Sequence, residues 1–155
     1  MAENKDHPDI KILPPVLMLI FLAAAFLMNR LITLRVPAAD AVRIAGWAIL
    51  LVGFALGFAA LRELNRAGTS PIPHEPSTSV VTSGVYSFTR NPIYLGFVLI
   101  VIGLPLILSN PWGLILIPVM IPAFNELVIK HEEIYLEKKF AGIYTAYKAR
   151  VRRWV

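Results

Sequence analysis

The sequence predicts an all-α membrane protein: four transmembrane helices, the third and fourth forming a short hairpin, followed by a cytoplasmic C-terminal amphipathic helix. Three observations predict it. The 155 residues are 57% hydrophobic and only 16% charged, with a mean hydropathy of +0.65, which is outside the range of ordinary soluble domains. Charge-free windows cover residues 12–29, 44–61 and 91–125, of 18, 18 and 35 residues, against the ~20 needed to cross a bilayer. Basic residues are also spread unevenly around those windows, as they are around membrane spans.

Residues 1–11 mix Glu3, Asp6 and Asp9 with Lys5 and Lys11 and read as a leader with no assigned function. The first span, 12–29, opens at Pro14 and Pro15, which suit a first helical turn because an N–H there has no intrahelical partner to lose. This apolar run is long for a signal peptide and further spans follow, so the helix is expected to be retained. The second span, 42–62, carries Gly46, Gly53 and Gly57, the last two a small-xxx-small pair that permits close helix contact. The third window is too long for one crossing and is broken by Ser109-Asn110-Pro111, where the proline favours a turn. Two spans result, 93–108 and 112–129.

Between the second and third spans, residues 65–89 are rich in Gly, Ser, Thr and Pro and show no helical period. Within them Thr78-Ser79-Val80-Val81-Thr82 reads as a short extended piece and Ser83-Gly84 as a turn. A connection of this length without structure of its own is usually functional or disordered, and its place beside Arg90 favours function. Past the hairpin, residues 126–139 are expected to continue as helix. Leu136, Phe140, Ile143 or Tyr144, Tyr147 and Val151 then recur at spacings of three and four, an amphipathic pattern suited to the membrane surface or to folding back over the loop. The chain reads as one domain, 1–155.

An even number of spans puts the N-terminus, the middle loop and the C-terminus on one side, with twelve basic residues against Arg30, Arg35 and Arg43 on the other. That bias predicts cytoplasmic termini, in the inner or plasma membrane of a prokaryote. The net charge of +5 is accounted for by this asymmetry and by attraction to anionic membrane lipids, so no nucleic acid is needed as a partner. The absence of cysteine excludes disulfides, thiolate nucleophiles and cysteine metal sites. His74 and His131 lack ligand spacing and no nucleophile elbow occurs, so neither a metal nor serine hydrolysis is expected.

Chemistry is left to the polar groups flanking the hairpin. Arg90 stands at the membrane edge, where its guanidinium can grip a carboxylate or phosphate in two-pronged fashion or simply anchor the helix. Tyr94 suits an interfacial aromatic belt. Glu132 and Glu133 can accept hydrogen bonds from ribose hydroxyls or pair with a cation; on an α-helix adjacent residues point about 100° apart, so one of them is expected to face inward.

Three stretches in this order, Val80-Val81-Thr82-Ser83-Gly84-Val85-Tyr86, Arg90-Asn91-Pro92-Ile93-Tyr94-Leu95-Gly96, and Glu132-Glu133 with Leu136, Phe140, Tyr144 and Tyr147, resemble the isoprenylcysteine carboxyl methyltransferase and phospholipid methyltransferase superfamily of integral membrane enzymes. The resemblance covers about residues 65–155. It implies S-adenosylmethionine as cofactor, bound by segments 76–96 and 126–155. The adenosine would be held by Thr78, Ser79, Val80, Val81, Tyr86, Asn91, Pro92, Ile93, Tyr94 and Glu132, with Arg90 and Glu133 as catalytic groups shaping the polar end. The implied reaction is methyl transfer, at the cytoplasmic face, to a hydrophobic small molecule or lipid through a carboxylate, amine or hydroxyl. An amine acceptor would need a proton acceptor, for which Glu133 or Tyr94, through water, are candidates.

Three positions depart from the prenylcysteine enzymes: Asn91 replaces a histidine, Ala141 a glycine, and Val128 an arginine associated with the substrate carboxylate, with Lys130 the nearest basic residue. The last counts against a prenylcysteine carboxylate as acceptor. Two other readings are a membrane reductase of the sterol-reductase type using NADPH, which shares a related C-terminal half, and a non-enzymatic small four-helix transporter. The transporter reading lacks the mid-membrane ionisable group such proteins usually carry. The sequence does not specify an oligomeric state.

Overall fold

The computed structural model describes residues 6–34, 36, 39–72 and 75–155. Glu3, Lys5, Arg35 and His74, used above, lie outside the described residues. The fold is all-helical, with no strand among the described residues. Helix α1 spans Pro14–Leu31, α2 Ala39–Arg66 and α3 Pro92–Ile107. The second arm of the hairpin comprises α4, Trp112–Ile115, and α5, Ile117–Phe124; one π-helical stretch, Asn125–Ile129, leads into α6, Lys130–Arg150.

Helices α1 and α2 are each long and apolar enough to cross a bilayer. Their outward faces expose Leu19, Leu27, Ile44, Trp47, Leu51, Phe54 and Phe58, each more than half accessible. An apolar band of that extent is unfavourable in water and suits lipid, whose tails are as apolar as these side chains. The chain is an integral membrane protein.

Helices α2 and α3 form the most extensive pairing in the molecule, because glycines meet along the seam. A Cβ added at Gly103 would lie 2.7 Å from Leu50 N and 2.8 Å from Gly46 O, and one at Gly96 would lie 2.9 Å from Gly53 O. The seam therefore uses the Gly53 and Gly57 pair that the spacing suggests, Gly57 N lying 3.5 Å from the same added Cβ at Gly96, and extends it to Gly46. The core beneath it joins Leu17 and Phe21 of α1, Val98, Val101 and Ile102 of α3, and Met120, Phe124, Val128 and Ile129 of the second arm.

At the hairpin tip Ser109 adopts φ 57°, the left-handed turn that ends many helices. Asn110, 1% exposed, donates to Ala25 O at 3.1 Å and accepts from Trp112 N–H at 3.0 Å. The tip is thus tied to α1, at the end where α1 closes and α2 opens. The opposite end gathers the start of α1, the end of α2, the start of α3 and α6.

The piece 78–82 pairs with no strand among the described residues. One expectation needs correction. The arm 112–129 is not one regular helix. Pro118 cannot donate to Leu114 O, so the helix breaks at Leu116, and the π-helical stretch then inserts an extra residue into the turn.

The amphipathic pattern beyond Leu136 is also interrupted. Helix α6 kinks at Ala141, whose φ is 38° and ψ −115°, a backbone region that glycine tolerates and alanine does not. This is the position at which the prenylcysteine enzymes have glycine. Ala141→Gly is therefore expected to stabilise the protein by about 1 kcal/mol, read as a raised thermal midpoint in detergent; a lowered midpoint would show that the kink is not used.

Candidate active site

Arg90 lies two residues before the start of α3 and packs against the first turn of α6; its side chain is only 8% exposed. Its Nη1 lies 3.2 Å from Glu133 Oε1, a carboxylate 7% exposed. Arg153 completes a triad, donating from Nε to Glu133 Oε1 at 3.1 Å and from Nη2 to Oε2 at 2.6 Å. Two guanidinium groups around one carboxylate leave a net positive charge of about one unit. The buried Arg90 Nε–H has no hydrogen-bond partner.

The segment after α6 fastens this centre. Arg90 N–H donates to Arg152 O at 3.0 Å, while Thr89 Oγ1 and Asn91 Nδ2 donate to Arg153 O at 3.2 and 2.8 Å. Trp154 Nε1 donates to Asn125 Oδ1 at 3.1 Å, a side chain in the π-helical stretch. Tyr147, on α6, donates its hydroxyl proton to Tyr86 O at 2.7 Å and so holds the short 3-10 turn Gly84–Ser87.

Glu132 faces a different neighbour. The Tyr94 hydroxyl donates to its Oε1 at 2.5 Å. Burial, reinforced by the adjacent Glu133 charge, pushes the Glu132 carboxyl up to about 7, with the Tyr94 hydrogen bond working in the opposite direction. Burial also raises the Tyr86 and Tyr144 hydroxyls above the usual phenol range.

Three spaces adjoin here. A polar cavity of about 140 Å³ is lined by Tyr86, Arg90, Asn91, Pro92, Ile93, Tyr94 and Glu132, among others. A second, of about 100 Å³, is lined by Ser79, Val80, Val81, Glu133, Tyr144 and Tyr147, and shares Tyr86, Arg90, Asn91 and Glu132 with the first. An apolar groove of about 550 Å³ runs between α1, α2 and α3 and shares Ile93 and Tyr94 with the first polar cavity.

The structure thus brings together eleven of the twelve residues singled out in the sequence. Thr78 is the exception: its N–H donates to Thr69 Oγ1 at 3.0 Å and its hydroxyl to Gly68 O at 2.9 Å, securing the loop to the end of α2, and it lines neither polar cavity. Arg153 is the group sequence reasoning missed, because a basic residue near the C-terminus reads as a topology charge. Val128 is fully buried in the core. Lys130, 57% exposed, pairs with Glu126 at 3.0 Å, so neither position brings a cation to the cavities.

A family model described as phospholipid methyltransferase matches residues 41–142. The chain belongs to this family. The phospholipid methyltransferase match takes in the seam helices, the loop and the first part of α6, and stops short of Arg153. Protein-S-isoprenylcysteine O-methyltransferase B of Arabidopsis thaliana is 32% identical over 108 residues, 68% of this chain and 55% of that protein. The protein-S-isoprenylcysteine O-methyltransferase of Saccharomyces cerevisiae is 40% identical over 72 residues, 46% of this chain and 30% of its own. The chain therefore spans about half or less of the length of these relatives. No solved structure matches it.

Proposed function

We propose that this protein is an S-adenosylmethionine-dependent methyltransferase that acts on a lipid-soluble acceptor at the cytoplasmic membrane face, with four spans and both termini in the cytoplasm. The observation that carries the reading is the meeting at Tyr94 of a polar double cavity and an apolar groove. A polar cofactor and a hydrophobic acceptor need such a pair of compartments, which here share a wall of Pro71, Ile72, Ile93 and Tyr94. Membership of the phospholipid methyltransferase family supports it, as does the gathering of Lys11, Arg62, Arg66 and Arg90 at the cavity end of the helices.

The residues present fit the cofactor. Glu132 offers a carboxylate to ribose hydroxyls, Tyr86 an aromatic surface, Ser79 to Val81 and Asn91 a polar wall, and the unpartnered Arg90 Nε–H a donor for a carboxylate. When bound, S-adenosylmethionine supplies an activated methyl group and its own leaving group. The protein's share is then to align donor and acceptor and to exclude water. In this reading Glu133 is a positioning residue, because both of its oxygens are occupied by arginines, and Arg90 is the group that faces the cavity.

Calorimetry of detergent-purified protein with S-adenosylhomocysteine tests the proposal. Binding is expected, lost in Glu132→Ala, with no binding of NADPH measured beside it. Failure of the intact protein to bind S-adenosylhomocysteine, or a Glu132→Ala variant indistinguishable from it, counts against a methyltransferase; NADPH binding instead favours the reductase reading.

A further inference from the structure

Of the residues that line the apolar groove, Tyr94 is the only one among those described with a polar side chain. An acceptor lying in the groove therefore meets one polar side chain, Tyr94, on the wall shared with the polar cavity. Three contacts fix its hydroxyl oxygen, Oη. The Tyr94 ring packs against Phe97 and Phe124, with centroids 6.2 and 5.9 Å away, and its proton is already directed to Glu132 Oε1. The lone pairs of Oη are left to receive a hydrogen bond.

The charges around this junction decide what can approach. A carboxylate at that wall of the groove would face Glu132 across Tyr94. The cation it would need does not line the groove: Val128 is sealed in the core, Lys130 points outward to Glu126, and Arg90, with its free Nε–H, lines the polar cavities on the cofactor's side and not the groove. An unpaired carboxylate in such a place is strongly disfavoured. A nucleophile that brings its own proton satisfies the junction instead.

Resting on the methyltransferase reading, we propose that Tyr94 and Glu132 form a proton-accepting pair, and that the acceptor is an amine or hydroxyl at the end of an apolar body rather than a carboxylate. The acceptor nitrogen or oxygen forms its bond to the methyl carbon as the carbon–sulfur bond breaks, leaving that electron pair on sulfur. The proton shed by the acceptor passes to Tyr94 Oη while the phenolic proton passes to Glu132 Oε1, so the carboxylate ends protonated and later releases its proton to water. The Glu132 carboxyl, held near 7 by its burial, is matched to that task at physiological pH. Of the two expected proton acceptors, Glu133 and Tyr94, this keeps Tyr94, since Glu133 is occupied by two arginines.

The test uses three matched probes, para-dodecylaniline, para-dodecylphenol and para-dodecylbenzoate, with the full chain in proteoliposomes and methyl-labelled S-adenosylmethionine. Label is expected in the aniline or phenol at least ten times faster than in the benzoate, and calorimetry of the S-adenosylhomocysteine-loaded protein should rank their binding the same way. Tyr94→Phe keeps the ring and its packing and is expected to lower the labelling rate about 100-fold even at saturating S-adenosylmethionine, a loss in kcat rather than in KM. Preference for the benzoate, no labelling of the aniline and phenol, or a Tyr94→Phe rate equal to the parent's overturns the assignment. Loss of S-adenosylhomocysteine binding in the parent protein overturns the methyltransferase reading itself, so the two failures are distinct.

Discussion

Glu133→Ala is expected to destabilise the protein by about 3 kcal/mol and to abolish S-adenosylhomocysteine binding. The carboxylate sits between Arg90 and Arg153, and its removal leaves two like charges facing each other, one of them on a side chain only 8% exposed. The structure can relieve that only by rearranging. Rearrangement frees the segment 151–154 and with it the carbonyl groups that hold Thr89, Arg90 and Asn91. Glu133→Gln, which keeps the volume and one acceptor oxygen, should fall between parent and alanine. Thermal unfolding in detergent and calorimetry read both effects; an alanine variant with unchanged midpoint and affinity would show that the triad contributes nothing.

Gly103→Ala should cost a similar amount, about 3 kcal/mol, by a different route. Its Cβ would enter the backbone of α2, 2.7 Å from Leu50 N, where no side chain can rotate away. Helices α2 and α3 must separate, and since α2 carries Leu64 and α3 carries Tyr94, the wall of the cavity moves with them. Gly57→Ala is the control. It lies on α2 near the same seam, yet a Cβ there meets nothing within 4 Å, and its midpoint should match the parent's. Equal midpoints for Gly103→Ala and Gly57→Ala would mean that the seam is looser than described.

How much of this could be read from the sequence depended on how local each cause is. The apolar helices were legible because burial in lipid is decided by composition over about 20 residues, and Pro14 and Pro92 mark helix starts by backbone chemistry alone. The site's near members were legible as short polar motifs beside the hairpin. Arg153 was not, since its carbonyl meets Asn91 across 62 positions of chain and nothing in Arg152-Arg153-Trp154 by itself states a partner. The phase of Glu132 and Glu133 was hidden too. Counting back from Glu132 to Phe124 on an ideal helix gives the wrong facing, because the π-helical stretch between them adds a residue to the turn. The glycine seam was half legible: the Gly53 and Gly57 pair stands out, but its extension to Gly46 depends on where Gly96 and Gly103 of another helix fall.

The stitching of residues 151–154 to the start of α3 bears on how the molecule is made. A nascent chain whose apolar helices have already entered the bilayer still has an open, unclosed pocket, with Arg90 and Glu133 lacking their third member. The pocket therefore closes only when residues 151–154 dock, and a chain cut before them should insert with its site open.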